Sequence, residues 1–281
     1  MAGLLSGLSE IGLGGLENME VYEQPEDKEA EKQAEEKPEV KQETFLFDKS
    51  YECPVCYQGF KAKTVRSGKL RSLGTDRDLR PLYDQMEPLK YDVVICPHCG
   101  YAALTRFFGG LTAGQIKAIK ENISANFHPV KEEKETYTYE EALYRYKLCL
   151  ANTIVKHGKV SEKAYICLKA GWLLRSMGEN LDPAVEDYNK KIQERKEQEM
   201  DVVKNALDGL ITARQTESYP ICGMDEVTLE YLIAVLAMEF EKYDISSRLI
   251  YNILNTPTVN NRIKDKAREV KDELLQQMGK K

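Results

Sequence analysis

The segment YDVVICPHCGYA, residues 91–102, places a Cys-x-x-Cys turn directly after a strand-like apolar run. A second pair, Cys53-Pro54-Val55-Cys56, follows the apolar residues 45–47. Each turn directs two sulfurs to one side, and together they supply the four thiolates of a tetrahedral Zn²⁺ site. The spacing therefore predicts one structural zinc ion in a zinc ribbon, with the metal ligands Cys53, Cys56, Cys96 and Cys99.

Iron is the minor alternative, because thiolate ligands alone do not distinguish zinc from iron. Rubredoxin-like sites hold one iron through similar turns, and a glycine usually follows the second cysteine of each. Here Gly100 follows the second pair, whereas Tyr57 follows the first. This departure favours zinc.

The segment between the two cysteine pairs is longer than in a compact four-cysteine motif. It has 39 residues, where about 15–20 are usual. Residues 60–71 predict a basic hairpin with its turn at Ser67-Gly68, and residues 74–90, which contain two prolines, predict an irregular loop. The candidate nucleic-acid contacts, with Phe60 as a stacking surface, are Lys61, Lys63, Arg66, Lys69 and Arg71.

Helical periodicity dominates the chain from residue 112 onward. Predicted helices cover residues 112–122, 138–156, 161–177, 182–215, 225–241, 244–255 and 259–278. The polar stretch 193–199 suggests that the fourth helix projects from the body. Spacings near Cys167 and Tyr231 match the first helix of a tetratricopeptide repeat, which predicts an antiparallel array with Lys169 and Arg175 as candidate partner-binding residues. The unpaired Cys149, Cys167 and Cys222 are expected to be buried thiols.

The N-terminal 43 residues differ in composition from the rest. Residues 1–19 form an apolar, Gly/Leu-rich motif, and residues 20–43 read as a disordered acidic linker. An apolar motif on a charged tether is typical of a segment that binds a partner. Its candidate contacts are Leu4, Leu8, Ile11 and Leu16.

Charge and hydropathy restrict the function classes. The net charge of −6 comes from residues 1–43, which have twelve acidic and four basic side chains, so the remainder is almost neutral. The longest apolar run, 231–238, is far shorter than the about 20 residues of a membrane-spanning helix. No Lys or Arg precedes Lys28, so a signal-peptide n-region is missing. We therefore expect a cytoplasmic protein without a membrane partner.

These features predict an α+β, mostly α fold in four segments. Residues 1–19 are the apolar motif, 20–43 the linker, 44–110 the zinc ribbon with its inserted hairpin and loop, and 111–281 the α-helical repeat-like domain.

With both cysteine pairs, the strand at 91–95 and the element CPHCGYA in place before helices, the chain resembles a known bacterial family. This is the uncharacterised family named domain of unknown function 2225, and the resemblance covers about residues 44–255. It implies a cytoplasmic protein with a zinc-ribbon head and tetratricopeptide-like helices. It implies no activity.

Three functions remain open at this level. The first is a non-enzymatic adaptor or scaffold with structural zinc and helices that bind an unknown protein partner. The second is a nucleic-acid-binding zinc-ribbon protein, and the third is a rubredoxin-like electron-transfer protein. We expect no enzyme and no catalytic residues, because four cysteine ligands leave no open position on the metal.

Overall fold

The structure is a computed structural model that describes residues 41–129 and 135–279. Within these ranges six short strands form three separate antiparallel pairs, and seven α-helices follow them. The strands are β1 (Leu46–Glu52), β2 (Gly59–Val65), β3 (Ser72–Thr75), β4 (Pro81–Tyr83), β5 (Val93–Ile95) and β6 (Ala102–Leu104). The helices are α1 (Ala113–Asn122), α2 (Tyr139–Val155), α3 (Val160–Glu179), α4 (Tyr188–Thr216), α5 (Glu226–Glu239), α6 (Tyr243–Asn255) and α7 (Asn261–Met278). The predicted α+β, mostly α class is confirmed.

Each Cys-x-x-Cys turn closes a β-hairpin. β1 pairs with β2 across the first turn, with Tyr51 opposite Phe60, and β5 pairs with β6 across the second, with Ile95 opposite Ala102. The hairpin predicted within residues 60–71 is therefore wrong, because residues 60–65 pair backward with β1. Ser67–Lys69 forms a single 3₁₀ turn instead.

The predicted irregular loop at 74–90 contains regular structure. β3 pairs with β4 through a bulged ladder, and Pro88–Tyr91 form a 3₁₀ turn before β5. The alternation of apolar residues is too weak here to reveal the strands, since all four β3 residues are exposed.

Side-chain caps fix the starts of α1 and α2. Thr112 and Gln115 form a reciprocal capping box at α1, and Thr138 and Glu141 form another at α2. In each box the threonine hydroxyl accepts from the backbone N–H three residues later, which satisfies a donor that the helix leaves free. The capping box predicted at Thr138 is confirmed.

Helix α4 begins later than its sequence suggests and does not project from the body. It starts at Tyr188 rather than at Pro183. It packs along α3 because glycines allow the two backbones to approach. A Cβ on Gly171 would lie 2.4 Å from Val203, and one on Gly209 would lie 2.8 Å from Ala164.

The hairpin β5–β6 and the helices share one hydrophobic core. Val93, Ala102 and Leu104 belong to the same buried cluster as side chains of α2, α3 and α5. The described residues from Gln42 onward accordingly form one compact unit. Residues 42 and 43, which the sequence assigns to the linker, belong to a 3₁₀ turn at Gln42–Phe45. The apolar motif at 1–19 and the linker to residue 40 lie outside the described residues.

The described α-helices are between 10 and 29 residues long. Among them, none combines the length and the apolar character that crossing a bilayer requires.

Candidate metal centre

The two cysteine turns, residues 53–57 and 96–100, have the same backbone geometry. In each turn the first cysteine N–H donates to a carbonyl five residues later, at 3.0 Å for Cys53 and 2.8 Å for Cys96. The fifth residue is left-handed in both, with φ of 61° at Tyr57 and 71° at Gly100. The missing glycine of the first turn is therefore a difference in residue type and not in backbone shape.

The four cysteine sulfurs converge on one point. Sγ of Cys53 lies 3.6 Å from Sγ of Cys99, and Sγ of Cys56 lies 3.6 Å from Sγ of Cys96. All four sulfurs lie within 4.8 Å of one another. A tetrahedron with Zn–S bonds of about 2.3 Å has edges of about 3.8 Å, whereas a disulfide bond is about 2.05 Å. The donor set therefore fits one metal ion.

All seven cysteines lie in the described ranges, and none of them forms a disulfide bond. Burial is the main reason that the pKa is raised for the three cysteines outside the cluster. It raises the pKa of Cys149 to about 12 and the pKa of Cys167 and Cys222 to about 11. Their prediction as buried thiols is confirmed.

Hydrogen bonds between the sulfurs shift the pKa values of three cysteines of the cluster in opposite directions. Hydrogen bonds from Cys96 and Cys99 lower the pKa of Cys53. The same hydrogen bonds raise the pKa of Cys96 and of Cys99. Metal ligation requires thiolates, so a bound cation would displace protons from these cysteines.

Aromatic side chains shield one side of the cluster. Tyr51 stacks on Phe60 with ring centroids 5.8 Å apart, and both rings contact Phe108. Tyr101 is fully buried and donates a hydrogen bond to the carbonyl of Phe108 at 3.0 Å. Phe60 is therefore partly buried against the cysteine cluster, and its role as a stacking surface for bases stays a prediction.

Side chains of helix α2 donate hydrogen bonds to the backbone of the second cysteine turn and of β5. The Asn152 amide donates to the carbonyl of Gly100 at 3.1 Å, and the Arg145 guanidinium donates to the carbonyl of Val93 at 3.3 Å. Asn152 is fully buried. The position of the second turn is thus tied to α2 as well as to its own hairpin.

Gly100 is the position in the two turns most sensitive to a side chain. A Cβ there would lie 2.5 Å from the Phe127 ring, in a backbone conformation that itself costs about 1–2 kcal/mol for an L-residue. We expect Gly100→Ala to lower the free energy of unfolding by about 2 kcal/mol or more, measured by urea denaturation of the metal-loaded protein.

Tyr57→Gly provides the matched control for that experiment. Tyr57 has the same sign of φ but is 65% exposed. Relief of backbone strain and the added freedom of the unfolded chain nearly cancel, so a change below about 1 kcal/mol is expected. Equal effects of the two substitutions would contradict the role assigned to Phe127.

The five basic candidate residues lie in or near the first hairpin, and they differ in their contacts with the rest of the protein. Lys61, Lys69 and Arg71 are exposed. Lys63 pairs with Asp48 at 3.1 Å, and Arg66 donates to the carbonyl of Leu46 while lying over the Phe47 ring. Their role in binding nucleic acid stays a prediction.

Lys169 and Arg175, the predicted groove residues, both take part in ion pairs within the protein. Lys169 pairs with Asp92 next to β5. Arg175 contacts Asp76 at 3.4 Å, Asp78 at 2.9 Å and Glu199 at 2.6 Å. The structure therefore gives both cations partners inside the chain, and a contribution to partner binding stays a prediction.

The turn between β3 and β4 carries a charged cluster that the sequence does not reveal. Arg80 is 4% exposed and pairs with Asp76 on its own turn and with Glu179 at the end of α3. Asp78 is 3% exposed and accepts from the Trp172 indole at 2.9 Å. Glu179 and Trp172, the partners of Arg80 and Asp78 on α3, are more than ninety positions away in the sequence. The one local sign of the cluster in the sequence is the i,i+4 spacing of Asp76 and Arg80.

Two hairpins whose tips bring four thiols together, packed on an α-helical body, define a class of α+β proteins with a four-cysteine centre that could hold a metal ion. The family described as "Uncharacterized protein conserved in bacteria (DUF2225)" matches residues 46–274, and the chain belongs to this family. The resemblance seen in the cysteine motifs is thereby confirmed. Searches of curated proteins and of solved structures returned no match.

Proposed function

We propose that the chain is a non-enzymatic adaptor. In this proposal Cys53, Cys56, Cys96 and Cys99 bind one structural Zn²⁺, and the helical body binds a protein partner. None of the seven cysteines forms a disulfide bond, which is in keeping with a reducing compartment, so we place the adaptor in the cytoplasm.

The observation that carries the proposal is the closed donor set. Four sulfurs complete a tetrahedral shell, and Cys53, Cys96 and Cys99 are buried. A catalytic zinc ion keeps one position for water or substrate, which a four-thiolate shell does not provide. The ion would join two hairpins, and α2 would hold one of them through Asn152.

Exposed apolar side chains on the helices support the binding role. Tyr144 and Ile154 on α2 are 47% and 52% exposed, and Tyr251 on α6 is 69% exposed. Leu275 and Met278 on α7 are also exposed. Single apolar residues are common on surfaces, but aromatic side chains are enriched where proteins bind one another.

The metal part of the proposal has a direct test. We expect the purified full-length protein to be colourless and to contain one zinc per chain by elemental analysis. A chelator strong enough to remove the ion should lower the melting temperature, because binding energy at a structural site is folding energy. One iron per chain with visible thiolate-to-iron absorption would instead support electron transfer.

The adaptor part is tested by cross-linking in the native bacterium. The full chain is compared with a variant in which Leu4, Leu8, Ile11 and Leu16 are replaced by serine, and with the chelator-treated protein. We expect one stoichiometric partner that requires the metal-loaded body. Loss of that partner in the serine variant would assign contact to the apolar motif, and absence of any stoichiometric partner would contradict the adaptor role.

Nucleic-acid binding is a second candidate because Lys61, Lys69 and Arg71 are exposed beside the first hairpin. Such binding should weaken steeply as salt rises. A mobility-shift assay at low salt tests for this binding. The control is a variant in which Lys61, Lys69 and Arg71 are all replaced by glutamine. No shift at low salt would remove this candidate.

A further inference from the structure

An apolar groove of about 280 Å³ lies where the helices α2, α3 and α4 meet. The lining residues of α3 are buried, whereas most of those on α2 and α4 are partly or fully exposed. Helix α3 therefore forms the floor of the groove, and α2 and α4 form its two walls. The residues of the floor are Ile166, Cys167, Ala170 and Leu174.

Helix α2 presents an apolar stripe along its wall of the groove. Leu143 and Leu150 line the groove and are partly exposed, and Ile154, one turn farther along, is 52% exposed. Spacings of seven and four residues place all three on one face of the helix. At 1.5 Å per residue, the stripe from Leu143 to Ile154 is about 16 Å long. A partner that covers it needs an apolar surface of about three helical turns.

Two side chains of opposite charge stand on the two walls. Lys147 on α2 and Asp201 on α4 both line the groove, and both are exposed. Neither has an ion-pair partner in the part of the chain that the structure describes. Burial and, after it, the charge of Asp201 raise the pKa of the Cys167 thiol, so this carboxylate lies close to the floor. The groove thus has a cation at one edge and an anion at the other.

The size and the lining of the groove favour an α-helix as its occupant. Its volume is below the range of roughly 300–1,000 Å³ in which pockets enclose a small molecule. An extended peptide would place main-chain N–H and C=O groups on apolar walls that offer them few partners. A helix satisfies these groups internally and can lay an apolar face into a hydrophobic groove.

We propose that this groove binds an amphipathic α-helix of a protein partner, with an acidic side chain opposite Lys147 and a basic side chain opposite Asp201. The apolar face of that helix packs on Leu150, Leu174 and Val202. This inference rests on the adaptor function and assigns to it a surface and a partner chemistry.

Other occupants fit the two charges less well. A helix with the same charge along both edges would be attracted to one wall and repelled by the other. An alkyl chain would cover the apolar floor but would supply no partner for Lys147 or for Asp201. A helix with one acidic and one basic edge matches both walls.

The test uses a library of synthetic helical peptides of about 16 residues. Leucine occupies one face of every peptide, and glutamate, lysine or serine is varied at the two edges of that face. Zinc-loaded full-length protein selects from the library. We expect the selected peptides to have glutamate along one edge and lysine along the other. Absence of any bound peptide, or selection without a preference at the edges, would overturn the proposal.

A charge reversal then locates the site. Lys147→Glu makes both walls acidic, so we expect this variant to select peptides with lysine along both edges. It should bind the best wild-type peptide about three- to tenfold more weakly, as expected when an exposed attraction becomes a repulsion. Lys271→Glu is the matched control, because it makes the same change of charge at an exposed position of α7 outside the groove. Identical selection by the wild type and Lys147→Glu would contradict the site.

A second variant tests the apolar contact. Leu150→Glu places a charge in the α2 wall while Lys147 and Asp201 remain. We expect it to abolish peptide binding in a protein that keeps its zinc content and its circular dichroism. Undiminished affinity in the folded variant would overturn the proposal, and Lys147→Glu, at an exposed position, keeps the test valid if Leu150→Glu does not fold.

Sedimentation and cross-linking separate this proposal from its alternatives. We expect the wild type to sediment as a monomer; a dimer that Leu150→Glu dissociates would show that a second copy occupies the groove and would overturn the proposal. If the cross-linked partner persists in Leu150→Glu, the groove assignment fails and the adaptor function stands. If helical peptides bind but no partner is cross-linked, the adaptor function fails and the groove assignment stands.

Discussion

Cys96→Ser is expected to abolish stoichiometric metal binding and to unfold both hairpins of the metal centre. Cys96 is fully buried, and its sulfur lies 3.6 Å from that of Cys56. Structural zinc contributes on the order of 10–16 kcal/mol in finger peptides, as much as the whole stability of about 5–15 kcal/mol of a typical domain. A site with three thiolates and one serine hydroxyl does not provide that binding free energy.

The loss of folded structure should extend from the hairpins into α2 but not through the whole helical body. Val93, Ala102 and Leu104 pack into the core that includes α2, and Asn152 on α2 donates to Gly100. Elemental analysis and hydrogen exchange of the full-length variant measure both effects. We expect lost protection in residues 46–104, reduced protection in α2, and near wild-type protection in α5–α7.

Cys222→Ser is the matched control for this prediction. Cys222 is a buried thiol outside the cluster, and it donates to the carbonyl of Ser161 at 3.3 Å, a bond that a hydroxyl can also make. This variant should keep its metal and its exchange pattern in the hairpins. Full metal content in Cys96→Ser, or equal loss of protection in the control, would refute the ligand assignment.

The sequence predicts the cysteine cluster because its geometry is local. A Cys-x-x-Cys turn fixes two sulfurs within four residues, and only the meeting of two turns needs tertiary structure. The starts of α1 and α2 are predictable for the same reason, since a capping box spans the four residues from Thr138 to Glu141.

Features that depend on distant partners were not predictable. β2 has the same composition whether it pairs forward or backward, and its pairing with β1 is decided by the turn that closes around the metal centre. The start of α4 differs for a local reason: the Asp182 side chain accepts from the Ala184 N–H in a short turn, and the helix begins only after Asp187, which is left-handed. The charged cluster at the β3–β4 turn joins residues too far apart for any local rule.

Arg175→Met is expected to lower the free energy of unfolding by about 3 kcal/mol or more. The guanidinium contacts Asp76, Asp78 and Glu199, and these join the β3–β4 turn to α3 and α4. Asp78 is almost completely buried, so removal of the cation leaves a desolvated carboxylate whose other side-chain donor is the Trp172 indole. Urea denaturation of the metal-loaded protein gives the value.

Two comparisons separate this network from ordinary surface charge. Arg268 pairs with Asp265 at an exposed position on α7, so Arg268→Met should change stability by less than about 0.5 kcal/mol. Asp78→Asn keeps an acceptor for Trp172 and removes the charge that Arg175 balances. The double variant Arg175→Met/Asp78→Asn should therefore lose less stability than the sum of the two single variants. Strictly additive losses of stability would mean that the ion pairs do not hold the β3–β4 turn to the helices. A loss of stability for Arg175→Met no larger than that for Arg268→Met would mean the same.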